Sequence, residues 1–480
     1  MSDRRTVAGA GRETPVIALV SSAHGVSHFF HLVLPPMFPW LREAFGLSYA
    51  ELGLLMTVLF TVSGIGQALA GFLVDRVGPA PVMQAALASF AAGALVLGLA
   101  PSWEWLLVGA TLIGLGNAPF HPVDYSVLNA RIGSARLGHA YAMHGVAGSL
   151  GWALAPVYMV GLAQLGGWRT AFFGAGVLAA LMLAIVAWRR ELLDARRPAP
   201  PSAAGNEREA AASEAGSAPA AAPAAATAPA AATASAAAGQ LDFMRLPAVW
   251  YSFAFFFASA FALGGVQTFG PESARQLHEV PLAVVALCLS AYMLASAVGM
   301  IVGGFAATDP SRAERTIGLS FGVAALIAVS LPFVPWPGAM MPVPFALMGL
   351  SAGIANPSRD LLIRRAAPPG ATGRVYGVVY SGLDLGMSIA PPILGLVLDR
   401  GSPAGVWFGI AIAQVLMIGL AFRAAGSVGP VPRASVSSPA SAGSTAAAGS
   451  PPRPGPAAGG ATTAAAASAA ASLGSGRRTA

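Results

Sequence analysis

Three histidines, His24, His28 and His31, stand at i, i+4 and i+7, the spacing that aligns side chains on one face of a helix. Imidazole exchanges protons near neutral pH, so such a stripe can relay protons. It can equally ligate a divalent metal, or do no more than hydrogen-bond neighbouring helices. Asn117, His121 and Asp124 repeat the spacing further along, and a third stretch carries Asn356, Arg359 and Asp360. Asp384 lies one turn from Tyr380. A carboxylate beside histidines suits proton exchange, and a guanidinium suits bidentate capture of an anionic or polar group. Arg359 next to Asp360 also suits a self-neutralising structural pair. No metal set is completed, because the single cysteine, Cys288, lies in an apolar run and no acidic cluster joins the histidines. No nucleophile–base constellation and no Walker-type loop stands out, so the expectation is no enzyme, no cofactor and no energy from bound ATP.

All of these residues sit inside apolar runs, and that fixes what must position them. Hydrophobic residues make up 55% of the 480 and charged residues only 10%, a balance that excludes a soluble domain of this size. The runs are about twenty residues or longer, enough to cross ~30 Å of hydrocarbon. Spans fall at roughly 15–40, 50–74, 80–100, 104–130, 137–163 and 168–189, then at 246–270, 281–307, 313–332, 339–366, 373–399 and 404–424. Ionisable side chains at that depth need a cavity and usually a task. His144 falls in the fifth span and His139 in the loop before it.

The formal charge of +7 is all arginine, with no lysine. Nucleic acid would require a contiguous basic face, whereas these arginines occur one to three at a time between apolar runs. One set of loops and span ends carries 17, among them Arg4, Arg76, Arg131, Arg189 and Arg374, against Arg42, Arg169, Arg275 and Arg400 on the other. Positive charge stays inside, so both termini are expected in the cytoplasm of a multi-pass inner-membrane protein. Met1–Thr14 carries three arginines like a signal peptide, but the apolar stretch after it is long, holds three histidines and lacks a cleavage site. It reads as the first span. Residues 1–190 and 243–424 then form two six-helix bundles. Between them, 191–242 is an Ala/Pro/Ser-rich stretch expected to be a flexible linker, and 425–480 is expected to be a disordered cytoplasmic tail.

The halves repeat. One constant offset carries Gly114 onto Gly349, Pro122 onto Pro357, Gly138 onto Gly373 and Tyr141 onto Tyr376. It also carries Gly151, Ala155 and Pro156 onto Gly386, Ala390 and Pro391, and Asp124 onto Arg359. Tandem six-helix halves build a midplane site with alternating access. Opposite charges at repeat-related positions can form a gate or a substrate clamp. At the end of the second span, Gly71-Phe-Leu-Val-Asp75-Arg76-Val-Gly78 combines a small residue for close helix approach, a carboxylate for a helix N-terminus and a glycine for a tight turn. An ordinary charged helix end has the same composition. The Gly-x-x-x-Ala-Pro stretches suit close packing and a bend.

Gly71–Gly78 resembles the loop 2–3 signature of the major facilitator superfamily, and Gly151–Pro156 is similar to the span 5 motif of its drug-exporting branches. Leu47–Leu55 leading to Gln67, with Gly114–Pro122, resembles the fosmidomycin-resistance branch. The resemblance implies twelve transmembrane helices in two pseudo-symmetric bundles, with the first span lining the cavity. Two departures stand out. Pro79, Ala80 and Pro81 replace the basic residues that usually follow the signature, and Ala110–Gly114 lacks the arginine many exporters carry in span 4. Coupling must therefore use other groups. The expected function is proton-coupled efflux of small organic compounds, an antiporter acting as a monomer in the lipid bilayer. His24, His28, His121, Asn356, Arg359 and Asp384 would bind substrate, while His28, His121 and Asp124 would couple protons. Gly71, Asp75, Arg76 and Gly78 would gate the cytoplasmic face. An importer of small organic anions anchored on Arg359, and a membrane sensor or scaffold that has lost transport, are the alternatives.

Overall fold

A computed structural model describes residues 3–194, 242–306, 313–366 and 372–427; nearly all of the linker and the tail beyond 427 lie outside them. The described elements are α1 (Asp3–His31), α2 (Phe38–Phe45), α3 (Tyr49–Val77), α4 (Pro79–Leu99), α5 (Trp103–Asn117), α6 (Phe120–Arg131) and α7 (Ser134–Trp188). They continue as α8 (Pro247–Thr268), α9 (Gly270–His278), α10 (Leu282–Ala306), α11 (Ala313–Ser330), α12 (Pro342–Ala366), α13 (Thr372–Asp399) and α14 (Pro403–Ser427). Among the described residues there is no strand.

Eleven of the helices or helix groups are long and apolar enough to cross a membrane. α7 counts as one of them, but a straight helix of its 55 residues would reach about 80 Å. It is two crossings: Gly166 and Gly167 leave helical geometry and divide it into 134–165 and 168–188. Among the described residues the total is twelve.

Local chemistry sets the ends. Ser48 and Glu51 form a reciprocal capping box that starts α3, the Glu51 side chain meeting the Ser48 N–H at 2.8 Å. Gly78, at φ 89°, ends it, and Pro79 opens α4 where no N–H is needed. Proline breaks two of the expected spans internally, though each remains a single crossing. The fourth span is not one helix over 104–130, because Pro119 and Pro122 withhold two successive turn donors and the chain breaks between α5 and α6. The first span likewise leaves the helix after His31 and turns through Pro35–Met37. His139 is also corrected, since it lies in the first turns of α7 and not in a loop.

The two halves meet along α3 with α13 and along α7 with α10. Each contact contains one hydroxyl-to-carbonyl bond: Thr57 Oγ1 donates to the Ser388 carbonyl and Ser290 Oγ to the Ala153 carbonyl, both at 2.6 Å. Ala153 and Ser388 are repeat-related, so duplication put equivalent acceptors on both seams. Ser388 lacks its usual helical donor because residue 392 is proline. Gly53 lets the backbones touch, since a Cβ there would lie 2.6 Å from the Pro391 carbonyl. On the outer flanks Leu69, Phe72, Phe305, Leu326 and Ile412 stand exposed, as a hydrocarbon solvent permits.

Gly53→Ala should therefore destabilise the protein by about 1–3 kcal/mol through overpacking, seen as a lower thermal midpoint in detergent. Gly71→Ala, where nothing lies within 4 Å of the added carbon, should hold or raise the midpoint. Equal effects at the two glycines would contradict the close-approach account.

Candidate functional site

α1, α6 and α7 converge on one carboxylate. His24 Nδ1 lies 2.9 Å and His144 Nε2 3.0 Å from the same oxygen, Asp124 Oδ2. Asp124 is 0% exposed, His24 2% and His144 4%. The two rings stack at 3.5 Å, so both present a nitrogen to Oδ2 side by side. The other oxygen, Oδ1, is buried without a hydrogen-bond partner. Around the pair stand His28, ring to ring with His24 at 4.3 Å, His121 at 5.2 Å from His24, and Tyr125 at 5.4 Å from His144. Gly148 makes room, since a Cβ there would meet His28 Nδ1 at 2.7 Å.

Ligand atoms of His24, His121 and His144 lie within 4.8 Å of one another, close enough to surround a cation. The point on which His24 and His144 converge is, however, already held by the Asp124 oxygen. The arrangement is a buried hydrogen-bonded cluster of one carboxylate and two imidazoles.

His31 belongs to a separate network. Trp152 Nε1 donates to His31 Nδ1 at 3.2 Å, and an indole can only donate, so the imidazole proton sits on Nε2. That nitrogen donates to Asn117 Oδ1 at 2.7 Å, where Ser27 Oγ also donates at 2.7 Å. Asn117 Nδ2 donates in turn to Ser63 Oγ at 2.7 Å. With each ring nitrogen engaged in this way, His31 is a neutral strut that ties α1, α3, α5 and α7 together.

A cavity of about 490 Å³ opens beside the carboxylate, within the range that holds small organic ligands. His24, His28, His121, His144, Tyr125 and Trp152 form its wall in the first half, with Asn356 and Arg359 of α12 across from them. The Arg359 guanidinium lies over the Phe256 ring at 4.8 Å. Of the residues expected to bind substrate, five are on this lining; Asp384 is not. Its side chain faces Gly64 of α3 at the seam between the halves, about 3.1 Å from where a Gly64 Cβ would stand. Asp124 stands behind His24 and His144, bonded within its own half. Asp75 and Arg76 are exposed at the end of α3, and among the described residues Asp75 makes no hydrogen bond or ion pair.

The arginine-poor end is sealed by residues that the sequence alone marked only as loop charges. Tyr49 Oη of the first half donates to Glu272 Oε1 of the second at 2.7 Å. Arg275 grips Glu272 bidentately, at 2.8 Å for each bond, and Gln276 Nε2 reaches both Glu272 Oε1 and Tyr49 Oη. Asp399, at the end of α13, accepts the backbone N–H of Tyr49 at 2.8 Å and of Ala50 at 2.9 Å. It thereby places a negative charge on the positive end of α3. Burial alone would raise the Glu272 carboxyl; the bonds from Arg275, Gln276 and Tyr49 outweigh it and hold the group below its ordinary range. The signal for this seal was the i, i+3, i+4 spacing of Glu272, Arg275 and Gln276, but nothing local pointed to Tyr49 as its partner. His144 and Trp152 were missed because spacing within one helix cannot show a convergence of three.

Comparison with known proteins agrees with this architecture. The family model of the Major Facilitator Superfamily matches residues 20–391. The fosmidomycin resistance protein of Escherichia coli (strain K12) is 23% identical over 408 residues, covering 82% of this chain and 91% of that protein. The MFS-type transporter YfnC of Bacillus subtilis (strain 168) is 31% identical over 156 residues, 32% of this chain, and the match spans only 38% of YfnC. Among solved structures, a bacterial homolog of the human lysosomal transporter Spinster, in an inward-facing and occupied conformation, superposes with a TM-score of 0.62 at 15% identity. The superposition covers 87% of this chain and 96% of that one.

The sign of the Glu272 shift gives a pH dependence. A carboxyl held below its ordinary value strengthens the seal above about pH 4.3, and that contribution is lost as pH falls through the depressed value. Glu272→Gln should weaken the seal by about 1.5–3 kcal/mol, the worth of hydrogen bonds to a charged group. A cysteine at Thr57, with Cys288 replaced, should then react about tenfold faster with an impermeant maleimide at constant pH; in the parent, acid should raise that rate relative to a free thiol at the same pH, since the thiolate is the reacting form. Labelling unchanged by either acid or the substitution would remove Glu272 from the seal.

Proposed function

Because the chain belongs to the major facilitator superfamily, we propose that it exports small organic compounds in exchange for protons, by alternating access across an inner membrane. The observation that carries this reading is the Asp124 carboxylate, fully buried at span depth, clasped by two histidines and one ring away from the cavity between the halves. A lone ionised carboxylate in hydrocarbon is expensive, and the two imidazole donors offset that only while they stay in place. Protonation at the unpartnered Oδ1 removes the charge and with it the demand for both donors. His24 on α1 and His144 on α7 are then released to move, with His28 and His121 as the path from the cavity. Loading a proton and repositioning two helices become one event.

Two observations support the direction. The seal at the arginine-poor end leaves the other end as the one through which the cavity fills, and the arginine excess makes that end cytoplasmic. The relative aligned along both halves is a resistance protein, which suits export. Gly71, Asp75, Arg76 and Gly78 then form the opposing gate, with Asp75 and Arg76 exposed in this state and engaged when the cytoplasmic face closes.

In proteoliposomes with an imposed pH gradient, a compound whose toxicity the overexpressed protein relieves should dissipate the gradient. Asp124→Asn should abolish that dissipation while the protein still inserts. Transport that ignores the gradient and follows sodium would overturn the coupling. With Cys288 replaced, cysteines at Ser102 and Asn206 should label from opposite sides of the membrane, Asn206 from the cytoplasm; labelling from one side would overturn the orientation.

A further inference from the structure

The cluster on α1, α6 and α7 also has the makings of a metal site, and we infer that His24, His121, His144 and Asp124 bind one divalent transition ion of the zinc class. One ligand nitrogen from each of the three histidines lies within 4.8 Å of the other two. Asp124 Oδ2, which occupies the point on which His24 and His144 converge, stands 2.9 and 3.0 Å from their nitrogens and supplies the fourth ligand. Around a tetrahedral zinc ion, ligand atoms stand about 3.3 Å from one another. The two carboxylate contacts therefore open by about 0.3 Å, and the widest nitrogen gap closes by about 1.5 Å, within reach of side-chain rotation.

The side chains are suited to coordination. His121 Nδ1 is buried without a hydrogen-bond partner, and a buried polar atom left unused is costly. A neutral imidazole carries one proton, so moving it to the far nitrogen turns the Oδ2-facing nitrogens of His24 and His144 from donors into ligands. The ion then gives the buried carboxylate the positive partner that it otherwise draws from two N–H groups. Three imidazoles with one carboxylate favour zinc, cobalt, nickel or copper, whereas magnesium and calcium take oxygen ligands. Spacing along a single helix left the set incomplete; the fold completes it by bringing His144 and Asp124 to His24. Among the described residues this is the one group of its kind, so one ion per chain is expected.

The ion acts as a brake and not as cargo. Carriers hold cargo at the interface of their two repeats, whereas all four ligands here come from the first half. A tetrahedron closed by protein ligands is the structural type of site, with no position left open. The cavity beside it, about 490 Å³, is far larger than an ion. The brake rests on the alternating-access reading above: an ion that ties α1, α6 and α7 at one point holds helices that have to shift, and transport stops.

The test titrates the purified full-length protein, in nanodiscs and with any affinity tag removed, with zinc, cobalt and magnesium chlorides at one neutral pH. Calorimetry should show one zinc ion per chain, with magnesium about a hundredfold weaker or more. Bound cobalt should show the intense visible bands of tetrahedral coordination. His121→Phe keeps the ring and removes the nitrogens; it should weaken zinc by about tenfold or more and leave the midpoint of the ion-free protein near the parent's. His139→Gln and His278→Gln, outside the set, should leave the affinity as it is. No zinc binding, magnesium bound as tightly, a six-coordinate cobalt spectrum, or an affinity unchanged in His121→Phe would each overturn the site. Should His121→Phe fail to fold, His144→Phe replaces it, and the parent's stoichiometry and cobalt spectrum decide if neither folds. The brake and the transport reading fail separately. Zinc that halts dissipation of the pH gradient at the concentration that half-fills the site supports the brake. Zinc bound with transport unslowed, or zinc accumulating inside the vesicles, overturns it and leaves proton-coupled export standing. Transport that zinc arrests but that moves no protons does the reverse.

Discussion

A carboxylate buried in a layer that offers no water is the constraint on which the first half depends. Asp124 has no solvent to lean on, so its neighbours must be donors fixed to helices packed against α6. That requirement brings α1 and α7 to it through His24 and His144. It also requires small residues where the helices cross, and Gly148 is one of them. The proline break between α5 and α6 sits one turn away and separates Asn117 from His121 and Asp124. Asn117 then serves the strut built on His31, while His121 and Asp124 serve the cavity. One stripe of polar residues on paper becomes two networks with different work.

The second half shares the skeleton but not the chemistry. Ala153 and Ser388 accept equivalent hydroxyls, so the seams retain the symmetry of a duplicated unit. Asp124 and Arg359 occupy repeat-related positions and have diverged to opposite charge. Asp124 is bonded within its own bundle, and Arg359 rests on Phe256 within the other. A cavity bounded by two unlike walls can respond to two ligands, one on each, and coupling between them then passes through the helices that carry the walls. Symmetry is kept at the seams and lost at this one pair.

The sequence carried the fold because membrane spanning is written in composition: apolar length, arginine bias and a constant repeat offset each need no tertiary information. It carried half of the site for a related reason, since helical spacing shows which residues share a face. It could not show which faces meet. His144 gave no sign of its role because its partner is twenty residues away on another helix. Asp384 was expected to bind substrate, yet its side chain faces Gly64 at the seam. The outer seal was least legible, as it joins Tyr49 to Glu272 across 223 residues of sequence.

The seal's chemistry bears on how such a molecule can alternate. It is made of a few hydrogen bonds, the Tyr49–Glu272 bond buried and the others part-buried or exposed, with one bidentate ion pair and a carboxylate on a helix end. A seal of packed apolar side chains would instead cost a large cavity to open. Carriers need two states separated by only a few kcal/mol, so that one proton or one substrate can reverse the preference. Polar contacts suit that need, because water replaces the lost partners when the seal parts. Along α3–α13 and α7–α10 the halves pack closely, with backbone against backbone at Gly53. Asp399 holds the start of α3 at one end, and Asp75 stands exposed at the other end of the same helix, so the two termini of α3 differ in what meets them.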